Sequence, residues 1–263
     1  MNTIEALILG IIQGITEFLP ISSSGHLELV KALFGLQTQG EESLFLTLAL
    51  HVGTALSTLY IFWTDILNLF KGIFSLQKNQ EQLFAVQLLV SMIPAVLVGL
   101  FLEAQIAVLF DQNLVLVGAM LLITAVLLFV AEKVPVGTGS ISFPKAILIG
   151  LIQAIAILPG ISRSGSTIAG GLLLGIDRKR AARFSFLMAL PLIFGSMVKS
   201  ILDHGGAPQQ LDLIPLIIGF IASFFTGILA CKWMLALVQK SQLVYFSLYC
   251  FIVGGISLVY GFL

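Results

Sequence analysis

The chain contains one segment twice. Residues 5–35 realign with residues 145–175 at a constant offset of 140, and 11 of the 31 paired positions are identical. The identities include Ala6/Ala146, Gly10/Gly150, Gln13/Gln153, Ser22/Ser162, Ser24/Ser164, Gly25/Gly165 and Gly35/Gly175. Each copy is an apolar stretch broken by proline, then a serine-rich turn, then a second apolar stretch. In a membrane protein, paired interrupted segments in the two halves of a chain point to a central binding site.

Composition puts the chain in the membrane. Of its 263 residues 58% are hydrophobic and only 10% are charged, and the mean hydropathy is +1.08. A soluble domain cannot hide that much apolar surface behind a polar exterior. Apolar runs near 44–64, 84–102, 114–131, 184–201, 213–231 and 243–263 each reach the ~20 residues that span ~30 Å of hydrocarbon. Strand-like alternation is missing, which argues against an outer-membrane barrel. The first segment lacks a basic region and a small-residue cleavage site, so no cleavable signal peptide is expected. Cys231 and Cys250 have no metal-binding spacing and read as packing residues.

The repeated segments are too short to cross. Glu5–Leu19 holds 15 residues, about 22 Å of helix, before Pro20 ends or kinks it. Lys145–Leu158 is no longer and meets Pro159-Gly160. The expected fold is therefore all-α: one polytopic membrane domain with an inverted-topology repeat, six spanning helices and two re-entrant helical hairpins. The repeats would cover residues 1 to about 131 and about 132 to 263. A kinked full span is the alternative for each hairpin.

Basic residues orient this arrangement. With six alternating spans, Lys71, Lys78, Lys133, Lys145, Arg178, Lys179, Arg180, Arg183, Lys232 and Lys240 fall on one side. Only Lys31 and Lys199 lie towards the other, and Arg163 sits in a serine turn. Lys/Arg excess marks the cytoplasmic face. Both termini are then expected outside, with the first hairpin entering from outside and the second from the cytoplasm. The DRKRAAR run at 177–183 reads as a topology determinant, and Glu103 and Asp111 as solvated flanks of an outer loop.

Charged residues at membrane depth narrow the site. Glu17, His26 and Arg163 all lie in or beside the two turns. A charged side chain at mid-membrane costs at least ~2.5 kcal/mol on insertion scales and persists where it is paired, watered or functional. Gln13 and Glu17, four apart, share one helix face. The turns also begin new helical segments, whose free N–H groups favour anions. An arginine among hydroxyls at helix N-termini reads as a phosphate or pyrophosphate site. Plainer readings stand beside this one. The serines can simply cap helices, Arg163 and Glu17 can form a structural ion pair, and His26 and His51 can be polar packing residues.

At these residues the chain resembles the undecaprenyl-diphosphatase family, the bacitracin-resistance type of membrane phosphatase. The matching motifs are QGITEFLPISSSGH at 13–26, MIPA at 92–95, and PGISRSGSTI at 159–168 followed by GGLLLGIDR. The resemblance implies a bacterial inner-membrane enzyme that hydrolyses undecaprenyl pyrophosphate to undecaprenyl phosphate and inorganic phosphate, recycling the carrier for wall synthesis. It implies an active site open to the outer face and a divalent cation, Mg²⁺ or Ca²⁺, with Glu17 its protein ligand. The implied catalytic set is Glu17, His26, Arg163 and Ser23. Gln13, Ser22, Ser24, Gly25, Ser162, Ser164, Gly165 and Thr167 are the implied substrate-binding positions. Gln13 departs from the family's Glu-x-x-x-Glu pattern and is a neutral, weaker metal ligand. The nucleophile stays open between His26, Ser23 and water. The expected partners are a polyprenyl pyrophosphate and membrane lipid, with a homodimer allowed and no nucleic acid. A secondary transporter or lipid-phosphate flippase is the competing function, since broken inverted repeats also build carriers.

Overall fold

The computed structural model describes residues 2–36, 41–75, 77, 79–109, 113–203 and 212–262. Among them are twelve α-helices and no sheet. The first half holds α1 (Thr3–Phe18), α2 (Ser23–Leu33), α3 (Glu41–Ile61), α4 (Trp63–Ile73), α5 (Gln80–Phe101), α6 (Glu103–Leu109) and α7 (Leu114–Lys133). The second holds α8 (Phe143–Ile155), α9 (Arg163–Leu173), α10 (Arg178–Asp203), α11 (Leu213–Gln239) and α12 (Leu243–Gly261). Six of these, α3, α5, α7, α10, α11 and α12, are long and apolar enough to cross a bilayer. The protein is a multi-pass, all-helical membrane protein.

The repeat becomes two pairs of short helices with matching punctuation. A capping box starts α1: Asn2 Oδ1 accepts from Glu5 N at 2.9 Å, and Glu5 Oε2 accepts from Asn2 N at 2.8 Å. The helix stops where Leu19, the residue before Pro20, is forced extended. Helices α2 and α9 end alike. Gly35 and Gly175 adopt φ of 64° and 71°, values that suit a residue without Cβ. Leu36 N then reaches Lys31 O at 2.9 Å, and Ile176 N reaches Gly171 O at 3.0 Å, closing the same terminal turn.

Packing crosses between the halves. Helix α1 lies along α11, α8 lies along α5, α3 shares α11, and α7 pairs with α12. Repeat-equivalent glycines make the first two contacts. A Cβ on Gly10 would lie 2.4 Å from Gly219 O, and one on Gly150 2.2 Å from Ser91 O. Without hydrophobic drive between helices in lipid, such close backbone approach supplies the packing energy.

Three ion pairs gather around the start of α10. Arg178 Nη1 lies 3.5 Å from Glu132 Oε2, and Arg183 Nε lies 2.6 Å from Asp65 Oδ1 and Nη2 3.7 Å from Glu81 Oε2. There too, Gly139 N donates to Gly175 O at 3.0 Å and Asp177 N to Gly139 O at 3.1 Å, so the chain entering α8 touches the chain leaving α9. At another place, Ala6 and Leu9 of α1 cluster with Leu27 of α2 and with Leu46 and Leu50 of α3.

Three differences from the sequence expectation have physical causes. The DRKRAAR run forms the start of α10, so that span opens at Arg178 rather than near 184. Its arginines pin α10 to α4, α5 and α7. Helix α4 was not foreseen. Its exposed Trp63, Phe70 and Phe74 beside Lys71 give the mixed face of a helix lying at a membrane interface. Glu103, expected as the flank of a loop, opens a short further helix, α6. Lys78 and Asp111 lie outside the described residues.

Substituting valine at Gly10 or Gly150 should lower thermal stability in detergent by about 1–3 kcal/mol each, the usual cost of overpacking. Gly99→Ala and Gly195→Ala, with nothing within 4 Å of the added carbon, should leave the melting temperature unchanged or slightly higher.

Candidate functional site

The two serine turns interlock at the centre of the molecule. Ser22 caps α2 by accepting from Gly25 N at 3.3 Å, and Ser162 caps α9 by accepting from Gly165 N at 3.0 Å. Ser22 and Ser24 hydroxyls lie 3.3 Å apart, and Ser162 and Ser164 hydroxyls 3.4 Å apart. Identity between the repeats at these positions thus has a structural cause: the same cap is built twice. The glycines that follow let the turns touch. A Cβ on Gly25 would lie 3.1 Å from Gly160 Cα, and one on Gly165 3.0 Å from Pro20 Cβ. Ser164 Oγ reaches back to Glu17 O at 3.3 Å and Leu19 O at 3.4 Å. Thr124 of α7 accepts from Ser162 N at 3.1 Å and donates to Gly160 O at 3.3 Å. The N-termini of α2 and α9 therefore meet, with their positive dipole ends in one place.

Glu17 joins the two copies. One carboxylate oxygen, Oε1, takes a charge-assisted hydrogen bond from Arg163 Nη2. The other, Oε2, accepts from Ser23 Oγ at 2.6 Å and from Gln13 Nε2 at 3.1 Å. The ion pair foreseen as a plain structural alternative exists, and it leaves one donor and one acceptor over. Arg163 Nη1 and Gln13 Oε1 are buried with no hydrogen-bond partner among the described residues.

A cavity of about 750 Å³ opens on this constellation. Glu17, Ser22, Ser23, Ser24, Ser162, Arg163 and Ser164 line its polar part. Val96 and Leu100 of α5 and Leu192 and Val198 of α10 give it apolar walls, and it reaches Lys199 and Asp203 at the end of α10. His51 also lines it. Its Nδ1 lies 2.8 Å from Thr47 O; a carbonyl can only accept, so Nδ1 carries a hydrogen.

Other expected residues sit behind the wall. Gln13, Gly25, Gly165 and Thr167 do not line the cavity. Gln13 acts through Glu17, the glycines through the interlock, and Thr167 Oγ1 bonds Arg163 O at 2.8 Å and Ser185 Oγ at 2.6 Å. His26 faces away. Its Nδ1 donates to Ser22 O at 2.7 Å and its Nε2 accepts from Tyr249 OH at 2.8 Å, with the two rings stacked. That bond holds Ser22 in an uncommon conformation, φ 70°. Reasoning from sequence missed Tyr249, which no motif marks, and Gln153, which the repeat did mark as the mate of Gln13. Gln153 lines the cavity. Cys231 and Cys250 are buried free thiols, as expected of packing residues.

Residues 6–256 match the family described as bacitracin resistance protein BacA. The chain belongs to this family. It is 49% identical over 262 residues to the undecaprenyl-diphosphatase of Christiangramia forsetii, covering 100% of this chain and 99% of that one. It is 48% identical over 267 residues to the enzyme of that name from Bacteroides fragilis, covering 98% of each chain. Over 280 residues it is 39% identical to that from Desulfatibacillum aliphaticivorans, covering 100% of each.

The donor set in this BacA-family site is hard and sparse. Among the described residues no three His, Cys, Asp or Glu side chains group to hold a metal. Glu17 offers one carboxylate to the cavity, and Gln13 stands behind it without lining the cavity. Such a donor set fits Mg²⁺ or Ca²⁺ when phosphate oxygens and water complete the shell.

Removing one member of a buried pair leaves an uncompensated charge, so Arg163→Met or Glu17→Gln should each destabilise by about 3 kcal/mol. The double variant should recover most of that loss in a thermal double-mutant cycle. Additive losses would mean that the two groups do not interact.

Proposed function

We propose that this protein hydrolyses the pyrophosphate of a polyprenyl carrier lipid, undecaprenyl pyrophosphate, to the lipid monophosphate and inorganic phosphate. One observation carries the reading: Ser23 and Arg163 bond the two oxygens of one carboxylate in a cavity with apolar walls. The polar part suits an anionic headgroup and the apolar walls suit the start of a prenyl tail. Relatives named undecaprenyl-diphosphatase, similar end to end, support the same substrate. Consumption of the lipid pyrophosphate also fits the family's description as bacitracin resistance proteins.

In this reading Ser23 is the nucleophile. A hydroxyl held on a carboxylate is the pairing that activates weak nucleophiles. Ser23 Oγ attacks the terminal phosphorus, its proton passes to Glu17, and the bond to the lipid phosphate oxygen breaks. Water then cleaves the phosphoserine, returning the hydroxyl and releasing phosphate. Arg163 and the N–H groups opening α2 and α9 stabilise the charge that builds on the transferring group. His26, engaged on both nitrogens, positions the serine turn. A divalent ion held by Glu17, its shell completed by phosphate oxygens and water, would neutralise pyrophosphate charge.

The crossed packing of α1 on α11 and α8 on α5 supports an inverted repeat spanning the two halves. Contact between the chain entering α8 and that leaving α9 supports re-entrance, as does the shared cluster of α1, α2 and the start of α3. The cavity reaches the end of α10 far from the Arg178–Arg183 ion pairs. Since basic residues mark the cytoplasmic side, this supports an outward-facing opening in the bacterial inner membrane, with both termini outside. Access from one side suits a phosphatase better than a carrier.

Purified protein in detergent, where transport has no compartments, should release phosphate from polyprenyl pyrophosphate. Glu17→Ala, Arg163→Ala and Ser23→Ala should each lower turnover by about 10³-fold or more, as loss of a unit of the catalytic group does. EDTA should stop the wild type, and Mg²⁺ or Ca²⁺ should restore it. Wild-type rates in all three variants would remove these residues from the chemistry. In sealed cells, a membrane-impermeant maleimide should label Asp203→Cys but not Lys240→Cys; the reverse pattern would invert the orientation.

A further inference from the structure

Gln153 is 2% exposed, yet neither its amide oxygen nor its amide nitrogen has a hydrogen-bond partner among the described residues. Buried side-chain amides are rarely left with both ends unmade, and each such group needs a reason. This one lines the cavity, on α8. Its repeat mate supplies the contrast. Gln13 spends its amide nitrogen on Glu17, four residues on. The position four residues after Gln153 is Ile157, which also lines the cavity and whose side chain has nothing to accept a hydrogen bond. The two copies have thus diverged. The first presents a carboxylate and a hydroxyl, and the second presents only neutral or cationic donors: Gln153, Arg163 and the cap of α9. Arg163 Nη1 is likewise buried without a partner.

We infer that Gln153 is a substrate-contacting residue, its amide nitrogen donating to a phosphate oxygen of the lipid pyrophosphate in the cavity it lines together with Glu17. The inference rests on the phosphatase reading for its substrate, but its geometry requires only a phosphate-bearing anion. Gln153 takes no part in bond making. It holds the anion beside Arg163, and its oxygen is free to accept from water or a protonated phosphate. Since no described protein group satisfies the amide, the polar group does not serve the packing of the fold.

Stability and binding should therefore separate in Gln153→Leu, a substitution of similar volume. The melting temperature of the full-length variant in detergent should equal or exceed that of the wild type. Inorganic pyrophosphate with Mg²⁺ should raise the wild-type melting temperature, as a ligand of the folded state does, and should not raise that of the variant. KM for polyprenyl pyrophosphate should rise by about tenfold or more, the effect of one hydrogen bond to a charged oxygen, with kcat changed less. Gln153→Met serves the same comparison if the leucine variant does not fold. An unchanged pyrophosphate shift with unchanged KM would overturn the inference. So would a lower melting temperature in both variants with binding retained, which would make the amide structural. A wild type that binds pyrophosphate but releases no phosphate would end the phosphatase reading, while the shift comparison still decides the role of Gln153.

Discussion

Everything in this molecule is arranged around one contact, the carboxylate of Glu17 against the guanidinium of Arg163. Either charge alone at membrane depth is costly. Together they are tolerable only if both turns arrive at one place with the backbone bonds of four helix ends satisfied. The serine caps, the Thr124 bridge from α7 and the glycine contacts between the turns meet that condition. The pair also ties residue 17 to residue 163, so it closes the contact between the two halves of the chain.

The same contact gives the site its division of labour. The first turn contributes a carboxylate with a hydroxyl on it, and the second a cation and helix N–H groups. The two turns differ at a few paired positions: Ser23 opposite Arg163, and Glu17 opposite Ile157. The capping bonds and the terminal glycines stay alike, while the capping serines differ in backbone, Ser22 at φ 70° and Ser162 at φ −73°.

Much of this was legible in the sequence because membrane burial leaves few options. Long apolar runs had to be helices, and the six expected spans are the six long apolar helices. Ser22 and Ser162, at matching offsets in the repeat, are helix caps, the plainer of the readings the serines allowed. The meeting of Glu17 with Arg163 followed from the cost of leaving either alone. What the sequence hid depends on rotation about a helix axis and on distant partners. His26 shares a motif with Glu17 but points to Tyr249, more than two hundred residues away. Gln13 and Gln153 look alike in the repeat, yet only the latter lines the cavity. Helix α4 escaped notice because its apolar face continues the preceding span, separated only by the break at Phe62. The amphipathic spacing of Trp63, Phe70 and Phe74 was there to be read.

The central claim is that the two turns form one anion site with Glu17 and Arg163 at its heart. Crystals of the protein soaked with tungstate, an anomalously scattering phosphate mimic, test it most directly. The expected result is a single strong peak within hydrogen-bonding distance of Arg163 and Ser23. A peak confined to the basic cluster at Arg178–Arg183, with none between the turns, would contradict the account.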